Sequence, residues 1–366
     1  MKIAIITTVN HNVGDDFVRE GIKYLFKQKY KNIPIDFEHI HKHSPITARY
    51  GFEGFRNLRY SSKTDLLIPI GWTKDRIIEA DLVVQSGAPV YWCHNEDKSH
   101  CYQNEWFAPL IKRRLIKNKN VKLINLAAGT CQKYDSDGSE FCVNCNSYID
   151  EFYKLSTVTT VRDSLAKTVL NHIDIDAPVI PCSSIFAIDE HGLKNEGSEY
   201  VVVNYMKGGS HYTFGQQIDF EKWQNTFKKF YFEIKQRDRV IFSCHNQKEV
   251  DEALEIDPNA EIFYKEHDYL AYMKLYAKAK FGIMNRVHGA FLMAAFGKPS
   301  IIIGNDSRAK MVNEIGLESE FVNNANFEFL IKQYDFLKSG ANNFAQRFAQ
   351  IKEKAFADYM EALSKI

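Results

Sequence analysis

Short apolar runs of about four to eight residues alternate along this chain with segments whose apolar side chains recur every three or four positions. Residues 2–9 (KIAIITTV) read as a buried strand. A helix is predicted over 15–28, where Phe17, Ile22, Leu25 and Phe26 share one face. Further strands are predicted at 34–41, 80–89, 121–129 and 158–162. Helical spacing marks 106–118, 148–155 and 164–171. Strand followed by helix, repeated, implies parallel strands joined by crossover helices.

Around residues 191–198 (HGLKNEGS) the chain turns polar and glycine-bearing, and the alternation then restarts. Strands are predicted at 200–205, 239–244, 261–264, 281–284 and 300–304. Helices are predicted at 223–237, 247–254, 268–279 and 289–296. Gly297 stands where a glycine ends a helix, and Pro299 follows it. The tail, 340–366, is spaced as one long amphipathic helix. The expected fold class is α/β: two Rossmann-like doubly wound domains, at 1–190 and 198–335, with a C-terminal helix at 340–366.

Composition narrows the function more than the fold. A net charge of +1 over 366 residues offers nucleic acid no global attraction, so any anion selectivity is local. No apolar stretch reaches the roughly 20 residues of a membrane span, and the opening residues do not resemble a signal peptide. The expectation is a cytoplasmic protein of enzyme size. Seven cysteines, an odd number, argue against a disulfide framework.

The chemistry-bearing residues gather at predicted strand ends, where ligands bind in open parallel sheets. Arg286-Val287-His288 follows one strand, and Asp306-Ser307-Arg308, with Lys310, follows the next. An arginine is a permanent cation that grips phosphate or carboxylate bidentately, and a histidine exchanges protons near neutral pH. His245 ends a third strand, and Lys207 opens a Gly-Gly-Ser turn after a fourth. Gly289 would let a ligand approach the backbone closely. In the first half, Asn12, Gly14 and Asp15 follow the opening strand. Their turn suits an anion or a hydroxyl-bearing ligand, and it suits a plain helix cap equally well. Arg162 reads either as reaching the same cleft from the opposite wall or as a surface ion pair. Residues 49–60 (RYGFEGFRNLRY) interleave arginines with aromatics and read as a lid over an acidic or glycosidic acceptor. Cys142 and Cys145 form one C-x-x-C pair, which Cys93-His94 and Cys131 would complete only if folded nearby. Structural metals prefer two such pairs, so ordinary thiols and no metal are expected here and at Cys101.

These residues resemble the polysaccharide pyruvyl transferase family over nearly the whole chain. The likeness lies in the opening strand with NVGD, in EADLVVQSGAP, in TVRDSLAKTVL, in YLAYMKLYAKAKFGIMNRVHGA and in FGKPSIIIGNDSR. Its most specific part is Arg-x-His followed by a helix, Gly-Lys-Pro and an apolar strand. Three stretches depart from the family pattern, one being the family's glycine-rich turn, here reduced to Gly87. Pro181-Cys182-Ser183-Ser184 stands where an Asp-Pro pair is usual, and Lys207 lies near the place of an arginine. The resemblance implies a GT-B-like fold, with the acceptor on the amino-terminal domain and the donor on the carboxy-terminal one. It implies transfer of a pyruvyl group from phosphoenolpyruvate onto sugar hydroxyls of a polysaccharide or its precursor, as a ketal. His288, Arg286 and Asp15 would be catalytic. Asn12, Gly14, Arg162, Lys207, His245, Asp306, Ser307, Arg308 and Lys310 would bind substrate. No cofactor is expected beyond phosphoenolpyruvate as co-substrate. The partners would be that small donor and a glycan acceptor, with a peripheral contact to a lipid-linked acceptor left open, and the oligomer is unspecified. A nucleotide-sugar glycosyltransferase of the same architecture, or a non-catalytic glycan- or anion-binding member, are the other readings.

Overall fold

The computed structural model describes residues 1–9, 12–41, 79–93, 120–340 and 343–366, and the backbone of 46–48 and 73–75. The arginine–aromatic loop at 49–60, the helix expected at 106–118, His94 and Cys101 lie outside the described residues.

Two parallel sheets form the frame. The first runs in the order β2 (Asp36–His41), β1 (Lys2–Thr7), β5 (Leu82–Gln85), β7 (Lys122–Thr130), β8 (Ser156–Val161), with β6 (Pro89–Tyr91) paired to the far end of β7. β3 (Ile46–Ala48) and β4 (Thr73–Asp75) pair separately, antiparallel. The second sheet runs β11 (Ile262–Phe263), β10 (Val240–Ser243), β9 (Tyr200–Asn204), β12 (Ala279–Met284), β13 (Ser300–Gly304), β14 (Ser319–Phe321). The central strands are buried on both faces, as parallel strands covered by helices must be.

The helices form where capping and apolar spacing agree. In α1 (Val13–Lys29), Asn12 caps the helix by accepting the Gly14 N–H at 3.1 Å. Asp15 and Asp16 lie in the first turn and Lys27 and Lys29 in the last, matching the helix dipole. Gly14 therefore belongs to the helix itself, which starts two residues earlier than the apolar spacing predicts. The same happens at α2 (Val143–Leu155), which starts five residues ahead of the predicted 148. Then come α3 (Ser164–Asn171), the 3-10 turn Ser183–Phe186 and the short α4 (Ala187–Glu190), the last two unsignalled in the sequence because they are too short to show a period. The second sheet carries α5 (Phe220–Lys235), α6 (Gln247–Ile256), α7 (Tyr269–Lys278) and α8 (Val287–Ala295).

The tail forms the expected single helix, and a further helix that the apolar spacing did not signal precedes it. Gly340, left-handed at φ +62°, closes α9 (Phe327–Ser339), and α10 (Phe344–Leu363) follows. α10 packs back against α1 and β8 of the first lobe, with the Tyr359 hydroxyl donating to the Pro181 carbonyl at 2.9 Å.

The two lobes meet across a packed seam rather than an open gap. One apolar core contains Phe17 and Leu126 from the first lobe together with Tyr276, Phe291 and Leu292 from the second. Ser307 N–H donates to the Gln132 carbonyl at 2.9 Å, and Gln132 N–H returns to Ser307 Oγ at 3.0 Å. Tyr134 N–H donates to Gln216 at 3.1 Å, and Lys310 pairs with Asp135 at 3.0 Å.

Gly21 is the tightest point of α1. A Cβ there would lie 1.8 Å from the Ser183 carbonyl oxygen, backbone that cannot step aside. Gly21→Ala should cost about 2–3 kcal/mol or more of stability, read as a lower urea midpoint; an unchanged midpoint would contradict this packing.

Candidate functional site

Both lobes contribute to a cluster of fixed positive charge centred on His288. Arg286 is the N-cap residue of α8, so His288 lies in that helix's first turn, beside its unsatisfied N–H groups. The first turn of α1 faces it: a Cβ on Gly14 would lie 2.7 Å from His288 Nδ1. Two helix amino ends, one from each lobe, thus converge on one imidazole.

Arg162 closes the third side. It is 1% exposed, and its Nη1 donates to the Gly87 carbonyl at 2.9 Å and reaches His288 Nε2 at 3.2 Å. A guanidinium has no acceptor, so Nε2 takes this bond and the ring's own proton sits on Nδ1. Gly129 makes room for the arm, since a Cβ there would lie 2.5 Å from Arg162 Nε. Asp163, next in the chain, caps α3 and accepts from Thr130, fixing the strand end that carries Arg162.

Arg286 is held by Glu249, which sits at 2% side-chain exposure under the second sheet's strand ends. Arg286 Nε donates to Glu249 Oε1 at 3.0 Å, while Glu249 Oε2 accepts from Asn204 at 2.9 Å and from the His245 N–H at 3.0 Å. Burial alone would raise this carboxyl, but the Arg286 guanidinium and these donors hold it down at about 2. Arg286 Nη1 then reaches His211 Nε2 at 2.7 Å. Arg308 is aimed by Asp306, which accepts from its Nε at 2.9 Å and its Nη2 at 2.6 Å; Nη2 also donates to Ser210 Oγ at 3.1 Å.

The histidines record the field. Burial and the guanidiniums of Arg162, Arg308 and Arg286, in that order, drive His288 well below its ordinary value. Burial and Arg286 lower His245 to about 3, and burial with Arg286 and Arg308 lowers His211 to about 4. All three rings are neutral at pH 7 and serve as acceptors or neutral dipoles.

The remaining sequence candidates fall as follows. Asp15 accepts from Thr8 Oγ1 at 2.5 Å in the first turn of α1, and Asn12 is spent on its cap. His245 packs on Tyr272 and lies 3.5 Å from the Tyr276 hydroxyl, with a buried Nδ1 that has no partner among the described residues. Asp306 and Ser307 use their oxygens to aim Arg308 and to stitch the lobes. Lys310 stays at the seam with Asp135, and Lys207 turns outward to Glu255 at 3.3 Å, so neither joins the cluster. Gly289 offers no approach to a ligand, because Met284 Sδ and the Tyr276 hydroxyl already fill the space a Cβ would take. In the Gly-Gly-Ser turn the glycines pack on Phe220 and Val322, and Ser210 serves Arg308 and Asp306.

Sequence reasoning missed Glu249 and a group of three aromatic residues. Glu249 is visible only as the acid of an Asn246-x-x-Glu249 cap, a pattern that signals a helix start and not a buried counter-ion. Tyr212 stands half-exposed beside Arg308, whose guanidinium lies 5.8 Å from its ring centre. Trp92 crosses the seam to meet Tyr212 at 5.2 Å, with Phe214 beside both. No periodicity links those three.

The sequence profile of polysaccharide pyruvyl transferases matches residues 12–307. Among solved structures, the chain resembles the Methanocaldococcus jannaschii UDP-GlcNAc 2-epimerase at 14% identity and TM-score 0.51, covering 92% of each chain. It resembles S. aureus MnaA in its UDP co-structure at 12% identity and TM-score 0.56, over 95% of this chain and 90% of that one. A putative UDP-N-acetylglucosamine 2-epimerase from Listeria monocytogenes matches at 11% identity and TM-score 0.56 over the same shares. These likenesses establish the GT-B-like fold. No curated protein matches the sequence. No described helix is long and apolar enough to cross a membrane.

The depressed imidazoles set a sign. Below about pH 6.5 the unfolded chain binds protons that His211, His245 and His288 refuse in the native state, so these groups remove stability as pH falls toward 4. Asp16, raised to about 7 mainly by burial, and Asp163, also raised by burial, work in the opposite sense. The discriminating readout is therefore a difference. The urea midpoint of His245→Asn should decline less between pH 6.5 and 4.5 than that of the wild type, and equal slopes would refute the buried neutral ring.

Proposed function

The chain belongs to the polysaccharide pyruvyl transferase family, and from that premise we propose that it moves a pyruvyl group from phosphoenolpyruvate onto paired hydroxyls of a sugar, forming a ketal. The observation that carries this reading is the set of guanidiniums, Arg162, Arg286 and Arg308, whose charges all act on His288. Phosphoenolpyruvate brings a phosphate and a carboxylate, and such anions match arginine forks and helix amino ends.

The chemistry requires a proton on the methylene carbon, a hydroxyl attacking C2, loss of phosphate, and a second hydroxyl closing the ketal. The protons balance: the first hydroxyl's proton replaces the one given to carbon, and the second's leaves with phosphate. His288 is the proposed proton carrier. In the ligand-free site the cations keep it neutral; a bound polyanion offsets their field, raises the imidazole and loads it with the proton the carbon needs. Asp15 would orient the acceptor hydroxyl from the facing helix, and Tyr212 with Trp92 would offer the sugar an aromatic face beside Arg308. Arg286 and Arg308 would hold the anion, with Glu249 and Asp306 fixing their aim.

A nucleotide sugar is the second reading, because a diphosphate would suit the same arginines. Thermal shift separates them: phosphoenolpyruvate should raise the melting temperature and nucleotide sugars should not. In phosphate-release assays, His288→Ala should lose roughly 100-fold or more, and retention within about threefold of wild type would end its proposed role. Calorimetry in buffers of different ionisation enthalpy should show proton uptake when phosphoenolpyruvate binds near pH 7; proton-neutral binding would contradict the loading step.

A further inference from the structure

We propose that Cys93, Cys142 and Cys145 form a thiolate site for a single Zn2+ ion on the amino-terminal lobe, apart from the arginine cluster. Their three sulfurs lie within 4.8 Å of one another, although Cys93 is far from the other two in sequence. Zinc–sulfur bonds near 2.3 Å place tetrahedral ligands roughly 3.8 Å apart, so the trio needs only small side-chain movements to close on an ion.

The local structure gathers the three sulfurs. Cys142 is the N-cap of α2 and makes no capping hydrogen bond through its side chain, and Cys145 lies one turn on. Both sulfurs thus sit in the first turn of α2, at the helix amino end. Cys93 follows β6 and directs Sγ at the Glu140 carbonyl, 3.3 Å away, on the loop that leads into α2. On metal binding that thiol proton is released, as are those of the other two. Cys93 is 3% and Cys145 0% exposed, so the ion would be shielded on two sides. Among the described residues no fourth His, Cys, Asp or Glu reaches the trio, which leaves one tetrahedral position to another ligand. Cys131, the other cysteine the sequence offered, instead lies among Arg308, Asp306 and Arg162.

The placement gives the ion a task. The loop from Cys131 to Cys142 carries Gln132, Tyr134 and Asp135, the residues that meet the second lobe. Cys93 is adjacent to Trp92, and its carbonyl accepts from Gln132 at 3.4 Å. An ion at the trio would pin the far end of this loop and the segment bearing Trp92, a structural role and not a catalytic one.

The test uses the full chain, purified in reducing buffer with zinc supplied and then desalted. Elemental analysis should find about one equivalent of zinc, and replacement by Co2+ should produce an intense thiolate-to-metal absorption band. Cys93→Ser and Cys142→Ser should each lose metal and band, while Cys244→Ala, a buried thiol of the other lobe, should keep both. Should the serine variants fail to fold, the wild-type cobalt spectrum decides alone. Less than half an equivalent of zinc with no thiolate band, or iron accompanied by inorganic sulfide, overturns the proposal.

Discussion

A guanidinium cannot relinquish its proton inside a protein, and three of them acting on one imidazole dictate much of this structure. Each is given a carboxylate or carbonyl to face: Glu249 for Arg286, Asp306 for Arg308, the Gly87 carbonyl for Arg162. Those partners are themselves buried at strand ends or helix caps, so charge positioning and backbone architecture are the same set of bonds. The outcome is a junction where aimed guanidiniums meet two helix amino ends of the same sign.

The seam explains how two separately wound sheets hold such a junction in register. Apolar side chains of α1 and α8 pack directly, and the paired bonds between Gln132 and Ser307 fix the loops on one flank. Arg162 and His288 come from opposite lobes, so their 3.2 Å contact exists only when the lobes are docked. The arginine–imidazole cluster and the interlobe packing are therefore coupled by construction.

The sequence carried the β-then-α alternation plainly, because buried parallel strands must be continuously apolar and their cover helices must be amphipathic. It also carried the heart of the cluster, since Arg286, His288 and Arg308 stand immediately after such strands. It could not carry the counter-ions. Glu249 reads as a helix cap, and only the three-dimensional return of α6 brings it under Arg286. It misjudged Gly289 for a related reason: a glycine needed for packing against Met284 and one needed for a ligand look identical in one dimension. Lys207 shows the converse, a cation at a strand end whose long side chain finds a surface partner, Glu255, instead.

The closeness of Gly14 to the imidazole has a consequence for how such a protein can change over generations. One methyl group added to the first helix would be felt by a ring that belongs to the other half of the molecule. Neither half is therefore an independent module. A shuffled gene that joined this carboxy-terminal half to a foreign amino-terminal half would have to inherit a glycine at that one position, whatever else it exchanged.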